Sequence, residues 1–213
     1  MIDREAFVRA NTVLSHGALV PEIPLWLASE ITPIWQATED WLRETGTEPP
    51  FWAFAWPGSI ALARRLLDHP EIARGKRVLD FAAGCGLAAI AAAKTGAASV
   101  EAAEIDPLAI AAIHLNAALN NVTITAACAE MVGADCRWDL ILCGDVCYEA
   151  PMTGHILPWL RRMAETAEVW IADPGRAYLP REGLALFAEF TVPTSQELED
   201  RAERLVRLSR LGA

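Results

Sequence analysis

Residues 77–106, RVLDFAAGCGLAAIAAAKTGAASVEAAEID, constrain the fold more tightly than any other stretch of the chain. Val78 and Leu79 open an apolar strand that ends at Asp80, and a turn of small residues follows, Ala82-Ala83-Gly84-Cys85-Gly86. An alanine-rich run over 87–95 reads as a helix, and a second strand over 99–103 delivers Glu104. Strand, glycine turn, helix, strand and acid in that order make a βαβ unit, which is expected to hold a nucleoside-bearing small molecule. Glycine lets backbone approach a ligand closely, and the first turn of a helix presents unpaired N–H groups. Glu104 stands 18 residues beyond Gly86, where a carboxylate can accept both hydroxyls of a ribose.

The residues around the turn bear on which nucleoside it is. Gly84-Cys85-Gly86-Leu87-Ala88-Ala89 also fits the loose G-x-G-x-x-[G/A] pattern of dinucleotide sites, and a glycine turn used only for packing is the third reading. Asp80 favours S-adenosylmethionine, because a carboxylate suits a ligand with an ammonium group and would repel a pyrophosphate. About 75 residues precede the first strand, which also departs from the usual start of a dinucleotide domain.

A chain of 213 residues with 53% apolar content fits one α/β domain with a modest extension. No apolar run reaches membrane-spanning length, and no secretory signal follows Met1, so a cytoplasmic protein with no membrane partner is expected. Five cysteines without a C-x-x-C pair fit reduced thiols, and no cluster of His, Cys and acids proposes a metal. A net charge of −10 argues against nucleic acid as partner. It suits a lysine-bearing protein target, or serves solubility alone.

Residues 1–48 read as mostly helical, with a loop at 46–50. Phe51-Trp52-Ala53-Phe54-Ala55-Trp56-Pro57-Gly58 then leads into a helix over 59–69. Trp52 and Phe54 divide between core packing and function. Trp56 lies at the loop-to-helix boundary, where its ring can cover a cofactor while Ser59 contacts it. Asp106-Pro107 starts a helix to 120, with Asp106 as N-cap, and a third strand spans 122–126. A fourth strand over 138–143 ends in Gly144-Asp145-Val146-Cys147-Tyr148, on the edge that carries Asp80, Gly84 and Glu104. A helix over 153–166, a fifth strand over 168–172 and Asp173-Pro174-Gly175-Arg176 follow. The end of the chain reads as a short helix over 184–187, a strand over 189–192 and a partner strand over 204–211.

These motifs together resemble the seven-strand protein-lysine methyltransferases that carry Asp-x-x-Tyr after strand four, here Asp145 and Tyr148. Within that group the chain is most similar to the electron transfer flavoprotein β-subunit lysine methyltransferases. The resemblance covers about residues 20–180 and rests on Pro21-Glu22-Ile23, Trp52-x-x-x-Trp56-Pro57-Gly58, the glycine turn, Ile105-Asp106-Pro107, Gly144-Asp145 with Tyr148, and Asp173-Pro174-Gly175-Arg176. It implies a class I (Rossmann-like) α/β fold. The sheet would be seven-stranded and mostly parallel, with a C-terminal antiparallel hairpin. One methyltransferase domain would span 1–213, as a helical extension over 1–50 and a core over 51–213. It implies that Trp56, Ser59, Asp80, Ala82, Gly84, Gly86, Glu104, Ile105 and Gly144 hold S-adenosylmethionine and its product S-adenosylhomocysteine. Asp145 and Tyr148 would be the methyl-transfer pair, with Trp52 and Arg176 at the substrate mouth. In this family's turn glycine usually stands where this chain has Ala82. The implied substrate is a lysine of the electron transfer flavoprotein β subunit, with a ribosomal protein lysine as alternative. The rivals of another class are an NAD-linked oxidoreductase and a non-catalytic adenosyl-binding module. Amino methyltransferases with Asn/Asp-Pro-Pro-Tyr after strand four fit less well, because Gly-Asp-Val-Cys-Tyr lacks the prolines.

Overall fold

A computed structural model describes residues 3–29 and 49–213. The helix-like stretch around Trp35 and Trp41 lies outside the described residues. The main sheet has seven strands: β3 (Arg77–Phe81), β4 (Ser99–Glu104), β5 (Thr125–Cys128), β6 (Leu140–Gly144), β7 (Glu168–Asp173), β8 (Leu184–Pro193) and β9 (Glu203–Leu211). Their spatial order is β5-β4-β3-β6-β7-β9-β8. The first five are parallel, and β9 is antiparallel to both β7 and β8. Strand order reverses between β3 and β6, so the connections that leave the carboxyl ends of those two paired strands run in opposite directions and leave a crevice.

The inner strands are apolar because both faces are covered. On one face, Val78 and Leu142 pack under α2 (Pro57–Asp68) and α3 (Leu87–Lys94). On the other, Leu79, Ile141 and Val169 meet α5 (Ala150–Met163). Alternation along β3 therefore turns Asp80 to the α3 side and Phe81 to the α5 side. The helix α4 (Pro107–Leu119) is buried along most of its length, and Asp106 caps it by accepting from Leu108 N–H at 2.7 Å.

The strand expected over 122–126 starts later, as β5 at Thr125–Cys128, and two elements differ in type from the sequence expectation. Residues 3–29 carry one short helix, α1 (Arg4–Asn11), followed by a hairpin of β1 (Val13–Gly17) and β2 (Val20–Leu27). The spacing of Val20, Ile23, Leu25 and Leu27 buries them against the main domain as an extended strand. Pro21 and Pro24 are tolerated because β2 pairs with β1 alone. Asn116 and Asn120 on α4 pin the strand: Asn116 Oδ1 accepts from Trp26 N–H at 2.7 Å, and Asn120 Nδ2 donates to Pro24 O at 2.7 Å. The second difference is at 184–187, which is the start of β8 and not a helix. Its apolar residues cover a strand: Phe187 stacks on Trp170 with ring centroids 4.6 Å apart.

Candidate active site

The cleft at the carboxyl ends of β3, β4 and β6 has a volume of about 670 Å³. Its floor is the glycine turn. Gly84 has φ +54, and a Cβ there would meet nothing nearer than the Phe51 carbonyl at 4.0 Å. The residue type thus keeps the space above the turn open. The turn is held from behind by Asn116, fully buried, whose Nδ2 donates to Cys85 O at 2.9 Å. Glu104, at the end of β4, fixes the near side: Oε1 accepts from Gly84 N–H at 2.8 Å and Oε2 from Ile105 N–H at 3.1 Å. Each oxygen keeps a lone pair, so the carboxylate can still accept two hydroxyls. Burial raises its pKa, opposed by those two N–H groups.

Asp145 stands across β3 from Glu104. It takes a left-handed backbone, φ +57, which aspartate tolerates better than most residues. Its N–H donates to Ala172 O at 3.0 Å. Helix α2 begins at Pro57, which has no N–H, and its N-cap Trp56 offers no side-chain acceptor. Asp145 Oδ2 fills that role from another element, accepting from Gly58 N–H at 2.5 Å. Oδ1 accepts from Arg176 Nη2 at 2.9 Å. Burial pushes the Asp145 carboxyl up to about 6, against the pull of Arg176 and the Gly58 N–H.

The aromatic segment supplies the cleft's mouth. Phe51 lies between Trp56 and Tyr148, with ring centroids 5.8 and 5.5 Å away. Trp56 Nε1 donates to Phe51 O at 2.7 Å, which locks the loop. Trp52 also lines the cleft, and its buried Nε1 has no partner among the described residues.

The structure therefore brings Trp52, Trp56, Ala82, Gly84, Glu104, Ile105, Gly144, Asp145, Tyr148 and Arg176 to one cleft. It does not bring Ser59, Asp80 or Gly86 to its wall. Ser59 packs behind Gly144, where an added Cβ would lie 2.9 Å from Ser59 N and Oγ. Gly86 is the N-cap of α3, closed over by Ile113. Asp80 is buried beneath the turn and accepts from Ala89 N–H at 2.8 Å; desolvation pushes it up to about 8. Its carboxyl group braces the turn from below. Sequence reasoning did not find Met131 or Leu198 in the wall, nor Glu199 behind Arg176. Gly58 was visible only as part of a motif.

Ala82 has φ +54. A Cβ in the left-handed region costs about 1–2 kcal/mol, and glycine returns part of that as chain entropy. Ala82→Gly is expected to raise the Tm by about 2–4 °C, the shift for about 1 kcal/mol in a domain this size. An unchanged or lower Tm in a thermal melt would contradict the strain assigned to this residue.

A sheet of this order, with a glycine turn after β3 and an acid ending β4, defines a class I methyltransferase fold. The crystal structure of the ribosomal protein L11 methylase from Lactobacillus delbrueckii subsp. bulgaricus shares it, with a TM-score of 0.53, 23% identity, and coverage of 75% of this chain and 81% of that one. The profile of the family described as ribosomal protein L11 methyltransferase (PrmA) matches residues 61–144. More of the chain is matched by the electron transfer flavoprotein beta subunit lysine methyltransferases. The Danio rerio protein is 38% identical over 93% of this chain and 79% of its own length. The Xenopus laevis protein is 42% identical over 81% and 70%. The chain belongs to this family.

Proposed function

We propose that the chain transfers a methyl group from S-adenosylmethionine to a lysine side-chain nitrogen of the electron transfer flavoprotein β subunit. The observation that carries this is one cleft in which Glu104 and Asp145, on either side of β3, flank an open glycine turn. The donor set fits an adenosyl sulfonium: a carboxylate with two free lone pairs for a ribose, an open space above Gly84, and a Trp52 N–H without a partner among the described residues. Glu104 would hold the ribose hydroxyls, with Gly84, Ala82, Ile105, Gly144 and Trp56 lining the same ligand. When bound, the donor supplies a methyl group on a positively charged sulfur.

The chain's own residues then have to present a neutral amine. Free lysine has a pKa of about 10.4, so roughly one side chain in 10³ to 10⁴ is neutral near pH 7. Asp145 accepts the remaining N–H bonds and turns the nitrogen lone pair toward the methyl carbon. It also offsets the positive charge that builds on nitrogen as the N–C bond forms and the S–C bond breaks. The released proton goes to solvent after transfer. Tyr148, 38% exposed and packed on Phe51, walls the lysine channel.

Two results are expected. Glu104→Ala removes a half-buried charged acceptor and should weaken S-adenosylhomocysteine binding by about tenfold or more; unchanged calorimetric affinity would remove the ribose role. The pH profile should bend at the Asp145 pKa. Above about pH 6 the carboxylate is ionised, and log kcat/KM rises with a slope of about 1 as the amine deprotonates. Below about pH 6 Asp145 gains a proton as well, and the slope becomes about 2. A single slope down to pH 5 would contradict the requirement for an ionised Asp145.

The reading is tested by incubating the protein and methyl-labelled donor with purified electron transfer flavoprotein β subunit, and separately with ribosomal protein L11. Label on lysines of the flavoprotein subunit is expected. Label on the ribosomal protein alone would favour the second reading, to which the match over residues 61–144 points.

A further inference from the structure

Arg176 does not project into the cleft mouth as a free cation. Its guanidinium is spent on two carboxylates of unequal share. Nη1 donates to Glu199 Oε2 at 3.0 Å and Nη2 to Glu199 Oε1 at 2.5 Å, a fork-on-fork pair. Asp145 receives only the second hydrogen of Nη2. Glu199 is 3% exposed, on the one-turn helix α6 (Gln196–Glu199) between β8 and β9. It is held in turn by Arg204, whose Nε donates to Oε2 at 2.9 Å and whose Nη2 donates to the Glu199 carbonyl at 2.7 Å. The other charged or titratable groups facing Asp145 are Asp173 at the end of β7 and Cys147 on its own loop.

A buried Arg–carboxylate pair settles into the bidentate geometry when it can. Were Glu199 not there, the nearest carboxylate for that fork would be Asp145. A bidentate Arg176 would neutralise it and occupy the oxygen that a lysine nitrogen needs.

We propose that Glu199 is a positioning residue: by taking the fork of Arg176, it leaves the Asp145 carboxylate with an acceptor oxygen and net negative charge for the incoming amine. The sequence between the last two strands thus reaches the reacting centre through two side chains, without touching substrate. The proposal rests on the methyl-transfer reading of the cleft, and its first test needs no turnover.

The test follows the Asp145 side-chain carboxyl by carbon NMR through a pH titration in wild type, Glu199→Gln, Arg176→Met and the double variant. Arg176→Met should raise the Asp145 pKa, because a stabilising cation is gone. Glu199→Gln should lower it by about half a unit or more, as the freed fork turns to Asp145. In the Arg176→Met background Glu199→Gln should change nothing further, because no fork remains to redirect. A rise in the Asp145 pKa in Glu199→Gln would mean that Glu199 clamps Arg176 onto Asp145, and would overturn the proposal. The same shift persisting without Arg176 would overturn it as well. In turnover, Glu199→Gln should lower kcat at least tenfold with S-adenosylhomocysteine affinity within about twofold, and a wild-type kcat counts against the proposal. Glu199→Ala supplies a second variant should Glu199→Gln not fold. It too frees the fork of Arg176, and it should lose at least tenfold in kcat; wild-type kcat would again overturn the idea. If no lysine substrate is methylated, the function proposed above fails, while the titration still decides the role of Glu199.

Discussion

Asp145→Asn is expected to lower kcat for lysine methylation by about 10²–10³-fold, the scale for losing one preorganised electrostatic contact to a transition state. Affinity for S-adenosylhomocysteine should stay within about twofold. Asparagine preserves the shape, tolerates the left-handed backbone at φ +57, and can still accept from Gly58 N–H through its amide oxygen. Its NH₂ faces Arg176, which keeps its pair with Glu199. The protein should therefore fold and bind donor, and lose the negative charge that steers and balances the amine. Turnover and donor binding falling together would make Asp145 a scaffold residue. Activity within tenfold of wild type would exclude it from the transfer step.

Gly58→Ala should have a comparable effect by another route. A Cβ at this position would lie 2.5 Å from Asp145 Oδ2, 2.6 Å from Ala172 O and 2.8 Å from Asp145 N. Two of those atoms are backbone and cannot swing away. Helix α2 would have to withdraw from the ends of β6 and β7, breaking the hydrogen bond that caps it. Overpacking and a lost charge-assisted bond together cost about 3 kcal/mol or more, so the Tm should fall by about 10 °C. Methyl transfer should fall at least 100-fold even below the melting transition, because Asp145 is displaced. A wild-type Tm and rate would show that the close packing of Gly58 on Asp145 is not required.

This packing explains why two motifs far apart in the chain belong together. Trp56-Pro57-Gly58 and Gly144-Asp145 are halves of one joint between a helix start and a strand end. The sequence puts Gly144-Asp145 at a strand end and Trp56 at a helix start, because both are local signals, but it does not join them. The parallel core was legible for the same reason: its inner strands are short apolar runs, and Asp106-Pro107 marks the start of α4. Gly84 and Glu104 both line the cleft, at the ends of strands where the spacing of the motif puts them.

What was not legible depended on partners remote in sequence. The first hairpin was read as helix because the apolar residues 20–27 lie among prolines, which obscure the alternation. The buried amides that pin it belong to α4. The run 184–187 lacks alternation and so mimics a helix until Trp170 is seen beneath it. Asp80 was assigned to the ligand from its position at a strand end. Strand alternation in fact turns it under the turn, where Ala89 N–H takes it. Glu199 gave no signal at all, since an acid in a polar connection between two strands reads as solvated surface. Only the fold carries it to Arg176.

The most direct test of the account is a crystal structure of the protein with S-adenosylhomocysteine. The account predicts the ribose hydroxyls on the Glu104 carboxylate, the turn at Gly84 beneath the ligand, and the sulfur facing the space between Asp145 and Tyr148. A ligand bound elsewhere, or one in this cleft with its sulfur turned away from Asp145, would contradict it.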